Sequence, residues 1–106
     1  MTKNSLEDFL AHVPIGFYRL DAQDRVAYAN AAWLELHGYT SLDQVHGKNI
    51  QFAYARSLEA EQLKTKIVAE GTVKDAIHEL KRPDGQHFWA SIYSTQLTDD
   101  TGHYAG

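Results

Sequence analysis

Residues 30–47 read Asn-Ala-Ala-Trp-Leu-Glu-Leu-His-Gly-Tyr-Thr-Ser-Leu-Asp-Gln-Val-His-Gly, and their local chemistry decides the fold. The Asn30 side chain can accept the free backbone N–H of Ala32 or Trp33, so it opens a helix as N-cap. The helical period puts Trp33, Leu36 and His37 on one face and turns Glu35 to the other. Gly38 ends the helix, because that end calls for a left-handed residue and glycine adopts the conformation freely. Ser41 and Gln44 stand at the spacing of a capping box, which starts a second short helix at once, and Gly47 stops it.

Upstream, Ile15–Leu20 and Arg25–Ala29 read as the two strands of a hairpin turned through Asp21–Asp24. Alternation puts Tyr18 and Leu20 on one face, Phe17 and Arg19 on the other, and divides Ala27 and Ala29 from Val26 and Tyr28. Earlier still, Ser5 caps a short amphipathic helix over Ser5–Val13, with Leu6, Phe9, Leu10 and Val13 along one face and Pro14 as its stop. A helix of that length is not stable alone in water, so its apolar face must dock on something.

Downstream, Lys48–Ile50 reads as a single turn and Gln51–Ala55 as a loose link. Ser57–Glu70 is the longest helix, with Ala60, Leu63 and Ile67 on its apolar stripe and Gly71 as its stop. Thr72–Leu80 and Gln86–Leu97 form a second pair of strands turned through Pro83-Asp84-Gly85, where proline fixes φ and glycine supplies a positive one. In the last long strand Phe88, Ala90 and Ile92 share one face, and Trp89, Ser91 and Tyr93 share the other. Large aromatics on both sides predict a sheet covered on both faces. Asp99–Gly102 is another turn, and His103–Gly106 begins a final strand.

The strand ending at Asn30, the Gly38-Tyr39 pair and the exit Val45-His46-Gly47-Lys48 resemble a PAS domain, the small sensory module of signalling proteins. Asp21 and Asp84-Gly85 fall where that family has an acidic hairpin residue and an Asp-Gly turn. The resemblance covers residues 14–106, after an N-terminal amphipathic helix at 1–13, and its last strand reads as truncated. It implies an α+β fold: a five-stranded antiparallel sheet in the order 2-1-5-4-3 with helices on one face. It also implies that Tyr18, Leu20, Ala27 and Ala29 face inward, and that Ala76, His78 and Leu80 do the same.

Composition narrows the function. A chain of 106 residues makes one domain with one modest core. A net charge of −4 without a basic cluster argues against nucleic acid and against an anionic membrane surface. No apolar run is long enough to span a bilayer and no signal-peptide core is present, so the expected location is cytoplasmic. The absence of cysteine removes disulfides, thiolate nucleophiles and the flavin–cysteinyl adduct of some relatives. Six histidines are present, but none is spaced as a zinc site requires, so no metal is expected. Haem held through a histidine of the long helix is not expected either, since residues 51–77 contain none. No nucleophile-elbow or phosphate-cradling glycine motif occurs, and no catalytic activity is expected of this segment.

The resemblance therefore implies a sensory module, bacterial in type, that passes a signal to a C-terminal output domain such as a two-component histidine kinase or a diguanylate cyclase. Its competing form is a ligand-free module that only dimerises and relays movement. Candidate residues for a ligand pocket are Tyr18, Leu20, Ala29, Trp33, His37, Ile67, His78, Phe88 and Ile92. His37 sits at a helix C-terminus, where the dipole favours imidazolium, and either His37 or His78 could bond a ligand or titrate near neutral pH. The plainer state for both is a satisfied polar group at the core edge. A homodimer is expected through Leu6, Phe9, Leu10 and Val13 together with Trp89 and Tyr93 of the outer sheet face.

Overall fold

Strand β1 (Tyr18–Leu20) pairs antiparallel with β2 (Val26–Ala29) in the structure, a computed structural model that describes residues 15–106. The helix expected over Ser5–Val13, with Leu6, Phe9, Leu10 and Val13, lies outside the described residues. Asp21 builds the hairpin turn: its Oδ1 accepts the backbone N–H groups of Arg25 and Gln23 at 2.9 Å, and its Oδ2 accepts Arg25 Nε at 3.0 Å. These bonds, the Arg25 backbone N–H first among them, hold the Asp21 carboxyl below the usual carboxylate range.

The hairpin carries one correction to the expected faces. Tyr18 lies opposite Ala29, but Leu20 lies opposite Val26, so one extra residue is absorbed between the two pairs. That shift puts Val26 in the core at 1% exposure and leaves Ala27 only half-buried. Val26 is also clamped from its far side, donating its N–H to the Lys48 carbonyl and accepting the Gly47 N–H.

Helix α1 (Ala31–His37) starts as expected at Asn30. Asn30 Oδ1 accepts the N–H of Trp33 and also that of Phe17, both at 2.9 Å, while Nδ2 donates to the Ile15 carbonyl. One buried side chain thus caps α1 and ties it to the approach of β1. The inward face is Trp33, Leu34 and His37; Leu36, expected there, is 43% exposed. Leu34 takes its place because this short helix is covered on its other side by Val45, which is fully buried. Gly38 closes the helix at φ +85°, with the Tyr39 N–H bonded to the Leu34 carbonyl and the Gly38 N–H to that of Glu35. A Cβ at Gly38 would lie 3.2 Å from Pro83 Cδ, so this end of α1 sits tight against the turn after the third strand.

The second short helix is a 3-10 turn, Leu42–Gln44, with both halves of the expected Ser41–Gln44 capping box in place. The expected loose link is more ordered than its sequence suggested. Asn49 Oδ1 accepts the Gln51 N–H and caps a 3-10 turn over Ile50–Ala53. Tyr54 then bridges to Leu80, and the Ala55 N–H donates to the Glu79 carbonyl.

Helix α2 (Ser57–Glu70) buries Ala60 and Leu63, half-buries Ile67 and ends at Gly71, as its stripe predicts. Strands β3 (Thr72–Lys81) and β4 (His87–Thr95) pair antiparallel across the Pro83–Gly85 turn. The register slips between Val73 and Ala76, where Asp75 takes φ +54°. Because of that slip Val73 joins Leu80 in the core although only two residues, Lys74 and Asp75, separate it from Ala76.

The buried apolar residues form two clusters. One contains Val26, Ala29, Trp33, Leu34 and Val45; the other contains Tyr54, Ala60, Leu63, Val73 and Leu80; Ile50 packs against both. Among the described residues β1–β2 and β3–β4 are separate antiparallel pairs, so an open slot runs between β1 and β4. The segment after β4 folds back on itself through a Thr98–Tyr104 bridge, with the Leu97 N–H on the Gly106 carbonyl and the Ala105 N–H on that of Leu97. Gly106 abuts Leu20 so closely that any Cβ there would strike the Leu20 carbonyl.

Candidate functional site

A cavity of about 570 Å³ opens between the two clusters. Its walls are Trp33, Leu36 and His37 from α1, Ile50, Ala53 and Tyr54 from the second 3-10 turn, Leu80 from β3, Ala90–Tyr93 from β4 and Ile15–Tyr18 leading into β1. Successive strand residues point to opposite faces. A wall of four consecutive β4 residues therefore means that the cavity runs around the strand's edge into the slot beside β1.

Trp33 and His37 form the best-defined wall. They are four residues apart on α1, so they lie one turn above the other, and their rings stack with centroids 3.7 Å apart and planes 16° apart. Phe88 meets the imidazole edge-on at 5.2 Å, and Tyr18 lies 6.0 Å from the indole. His37 Nδ1 is 2.9 Å from the Trp33 carbonyl oxygen. A carbonyl can only accept, so Nδ1 carries the proton and Nε2 keeps its lone pair. Burial at 4% exposure pushes the His37 pKa down from 6.5 to about 4; the Trp33 bond opposes the shift and the nearby Arg82 guanidinium adds to it. Desolvation thus outweighs the helix end, whose dipole favours imidazolium.

Two tyrosines of the cavity, Tyr18 and Tyr54, are neutral as well. Burial raises the Tyr54 phenol far above its ordinary range, with Tyr18 and Glu59 contributing, and burial likewise raises Tyr18, whose hydroxyl lies 3.5 Å from Ser94 Oγ. Arg82 stays outside the walls, donating Nε to the Leu36 carbonyl and covering the Phe88 ring at 4.3 Å.

Of the residues expected in a pocket, Tyr18, Trp33, His37 and Ile92 come together in this cavity. Leu20 and Ile67 line two smaller cavities, of about 230 and 330 Å³, near α2 and the slot. Ala29, Phe88 and His78 line none of the three; Ala29 belongs to the first buried cluster and Phe88 backs the His37 ring. His78 sits at the seam of α2 and β3, its Nδ1 3.7 Å from Glu59 Oε2 and its ring edge-on to Tyr54. Neither of those two buried atoms has a hydrogen-bond partner among the described residues. Among the wall residues that reading the sequence missed are Ala53 and Tyr54, taken for a loose link. The signal was there: a capping Asn49 followed by the apolar Ile50, Phe52, Ala53 and Tyr54.

A second polar group gathers at the smallest cavity. Asp24 Oδ2 accepts Lys64 Nζ at 2.6 Å, Asp24 Oδ1 accepts the Tyr104 hydroxyl, and the Lys64 ammonium lies 4.8 Å from the Tyr104 ring centroid. This cluster joins the first hairpin, α2 and the final segment. Among the described residues no group of three histidine, aspartate or glutamate side chains is arranged to hold a metal ion. No described helix is long and apolar enough to cross a membrane.

The family model described as "PAS domain" matches residues 14–106. No curated protein matches the chain. Among solved structures, the PAS domain of a Colwellia psychrerythraea protein is 15% identical with a TM-score of 0.83, over 97% of this chain and 88% of that one. A PAS domain from a two-component sensor histidine kinase is 16% identical with a TM-score of 0.81, over 96% of this chain and 88% of its own. An RNA-binding light-oxygen-voltage receptor is 23% identical with a TM-score of 0.80, and the match spans 96% of this chain but only 30% of that receptor.

Proposed function

The chain belongs to the PAS domain family, and from that premise we propose that it is a cytoplasmic sensory module that holds a small molecule against the Trp33–His37 stack and passes its presence to a C-terminal output domain. The observation that carries this reading is the cavity beside that stack, walled by Trp33, His37, Tyr54, Leu80 and Ala90, whose volume of about 570 Å³ includes part of the slot beside β1. Trp33 does not plug it: the indole packs into the first buried cluster and forms part of the wall. In this reading the segment performs no chemistry itself, and a histidine kinase or a diguanylate cyclase of bacterial type would act on the signal.

The open slot between β1 and β4 is where the family's 2-1-5-4-3 order would seat a fifth strand. A strand there would close the mouth of the cavity and keep its inner wall of Trp33, His37, Tyr54, Leu80 and Ala90. It would also connect the interior to whatever follows in the chain.

We further propose that a second copy covers the outer sheet face. Ile77, Trp89 and Tyr93 are each about two-thirds exposed, and Ile77 lies opposite Ser91, midway between the two aromatics. The Leu6, Phe9, Leu10 and Val13 stripe supplies matching apolar surface. Native mass spectrometry of the purified chain tests the ligand reading: a retained compound of low mass supports it, and a bare mass with no binding in a broad ligand screen favours the relay-only alternative. Sedimentation tests the pair: Trp89→Glu should convert dimer to monomer, and an unmodified chain already monomeric at high micromolar concentration removes the dimer.

A further inference from the structure

We infer that the cavity selects an uncharged, largely apolar molecule carrying one hydrogen-bond donor, which it presents to Nε2 of His37. The inference rests on the sensory reading above and names the ligand class for that same site. Its first support is the wall. Among the described residues none of the cavity's lining side chains is Asp, Glu, Lys or Arg. A ligand carboxylate or ammonium would lose its water there with no opposite charge among the lining side chains, the Arg82 guanidinium near His37 being engaged outside the walls with the Leu36 carbonyl and the Phe88 ring. The smallest cavity makes the contrast, since Asp24, Glu61 and Lys64 all line it.

The second support is the direction of the one imidazole. The Trp33 carbonyl fixes the proton on Nδ1, so the other ring nitrogen can only accept. Among the described residues Nε2 makes no hydrogen bond, and His37 stands in the cavity wall. Burial keeps the ring neutral well below neutral pH, so the lone pair remains available across the physiological range. The stacked face of Trp33 and the edge of Phe88 hold the ring in place, which makes this an oriented acceptor and favours flat donors such as an aromatic N–H or a phenolic O–H.

The test uses the purified chain at pH 7 with matched probes, read by amide chemical shifts and by fluorescence titration. Indole and 1-naphthol are the neutral donors. 1-Methylindole and 1-methoxynaphthalene keep the shape without the donor. Indole-3-carboxylate and tryptamine add one charge of either sign. The donors should bind about tenfold more tightly than their methylated partners, as loss of one hydrogen bond implies, and about 30-fold or more tightly than the charged pair. His37→Phe should erase the difference between indole and 1-methylindole while leaving both able to bind. Should that variant fail to fold, the methylated pair on the unmodified chain decides alone. Equal binding of a donor and its methylated partner, or tighter binding of a charged probe, overturns the inference while leaving a ligand-bearing cavity standing. No binding by any of the six overturns both.

Discussion

His37 and His78 both lie in the interior, yet the two regions that hold them are built differently. Around α1 the polar groups are matched by chain geometry: Asn30 serves two backbone donors and one carbonyl, and His37 bonds the carbonyl one turn before it. At the α2–β3 seam, Glu59 from the first turn of one element meets His78 from another, and their facing atoms stop 3.7 Å apart without a hydrogen bond. Two of the α1 bonds span a single helical turn, and two cross from Asn30 to Ile15 and Phe17 at the approach of β1, yet all four close at 2.9 Å. The region whose polar groups are matched is therefore the one suited to recognition, and the cavity opens on it.

The largest effect expected of any change is on the matched region. Trp33→Ala removes a buried indole that contacts Tyr18 and His37, and should cost about 4 kcal/mol in urea unfolding. A loss below about 1 kcal/mol would mean that the wall collapses freely and is not rigid. Next comes Asn30→Ala, expected to cost about 3 kcal/mol, because the N–H groups of Phe17 and Trp33 both lose their acceptor in a buried place. A change as small as that of an ordinary exposed cap would show that water replaces the side chain.

Acid sharpens the comparison further. The His37 pKa lies at about 4 in the folded chain against 6.5 for the free side chain, so between those values the unfolded chain binds the extra proton. The stabilising contribution of this neutral histidine is complete above about pH 6.5 and is lost as pH falls to about 4, a decline on the order of 3 kcal/mol. His37→Phe should flatten stability over that window; an unchanged slope would assign the acid sensitivity elsewhere. The smallest effect belongs to the unmatched seam. Replacing both Glu59 and His78 by leucine should leave stability within about 1 kcal/mol of the starting chain, since a buried pair without good hydrogen bonds recovers little of its desolvation cost. A loss above about 2 kcal/mol would show a real ion pair there.

The same division explains what could be read in the sequence. Asn30, Gly38, the Ser41–Gln44 box, the stripe of α2 and the Pro83–Gly85 turn are local devices, and each stands where its spacing puts it. What escaped depends on partners far along the chain. Ala27 lost its inward place to Val26 because of a bulge, and Leu36 lost its place to Leu34 because Val45 covers the other side of α1. Tyr54 enters the cavity only because the strand holding Leu80 pairs with it. The charge state of His37 stayed open in the sequence for the same reason. The helix end is visible in sequence, but the desolvation that outweighs it comes from residues as distant as Phe88. Tyr18, Trp33, His37 and Ile92 of the cavity wall were legible as candidate pocket residues; the neutrality of that wall emerged only from packing.

The oriented, neutral acceptor on α1 is the account's central claim, and nitrogen-15 NMR of the imidazole of His37 tests it most directly. Across a titration from pH 8 to pH 3.5 the account predicts a protonated Nδ1 and a bare Nε2, with protonation of the ring setting in only toward about pH 4. A proton on Nε2 at neutral pH, or a midpoint near 6.5, would contradict it.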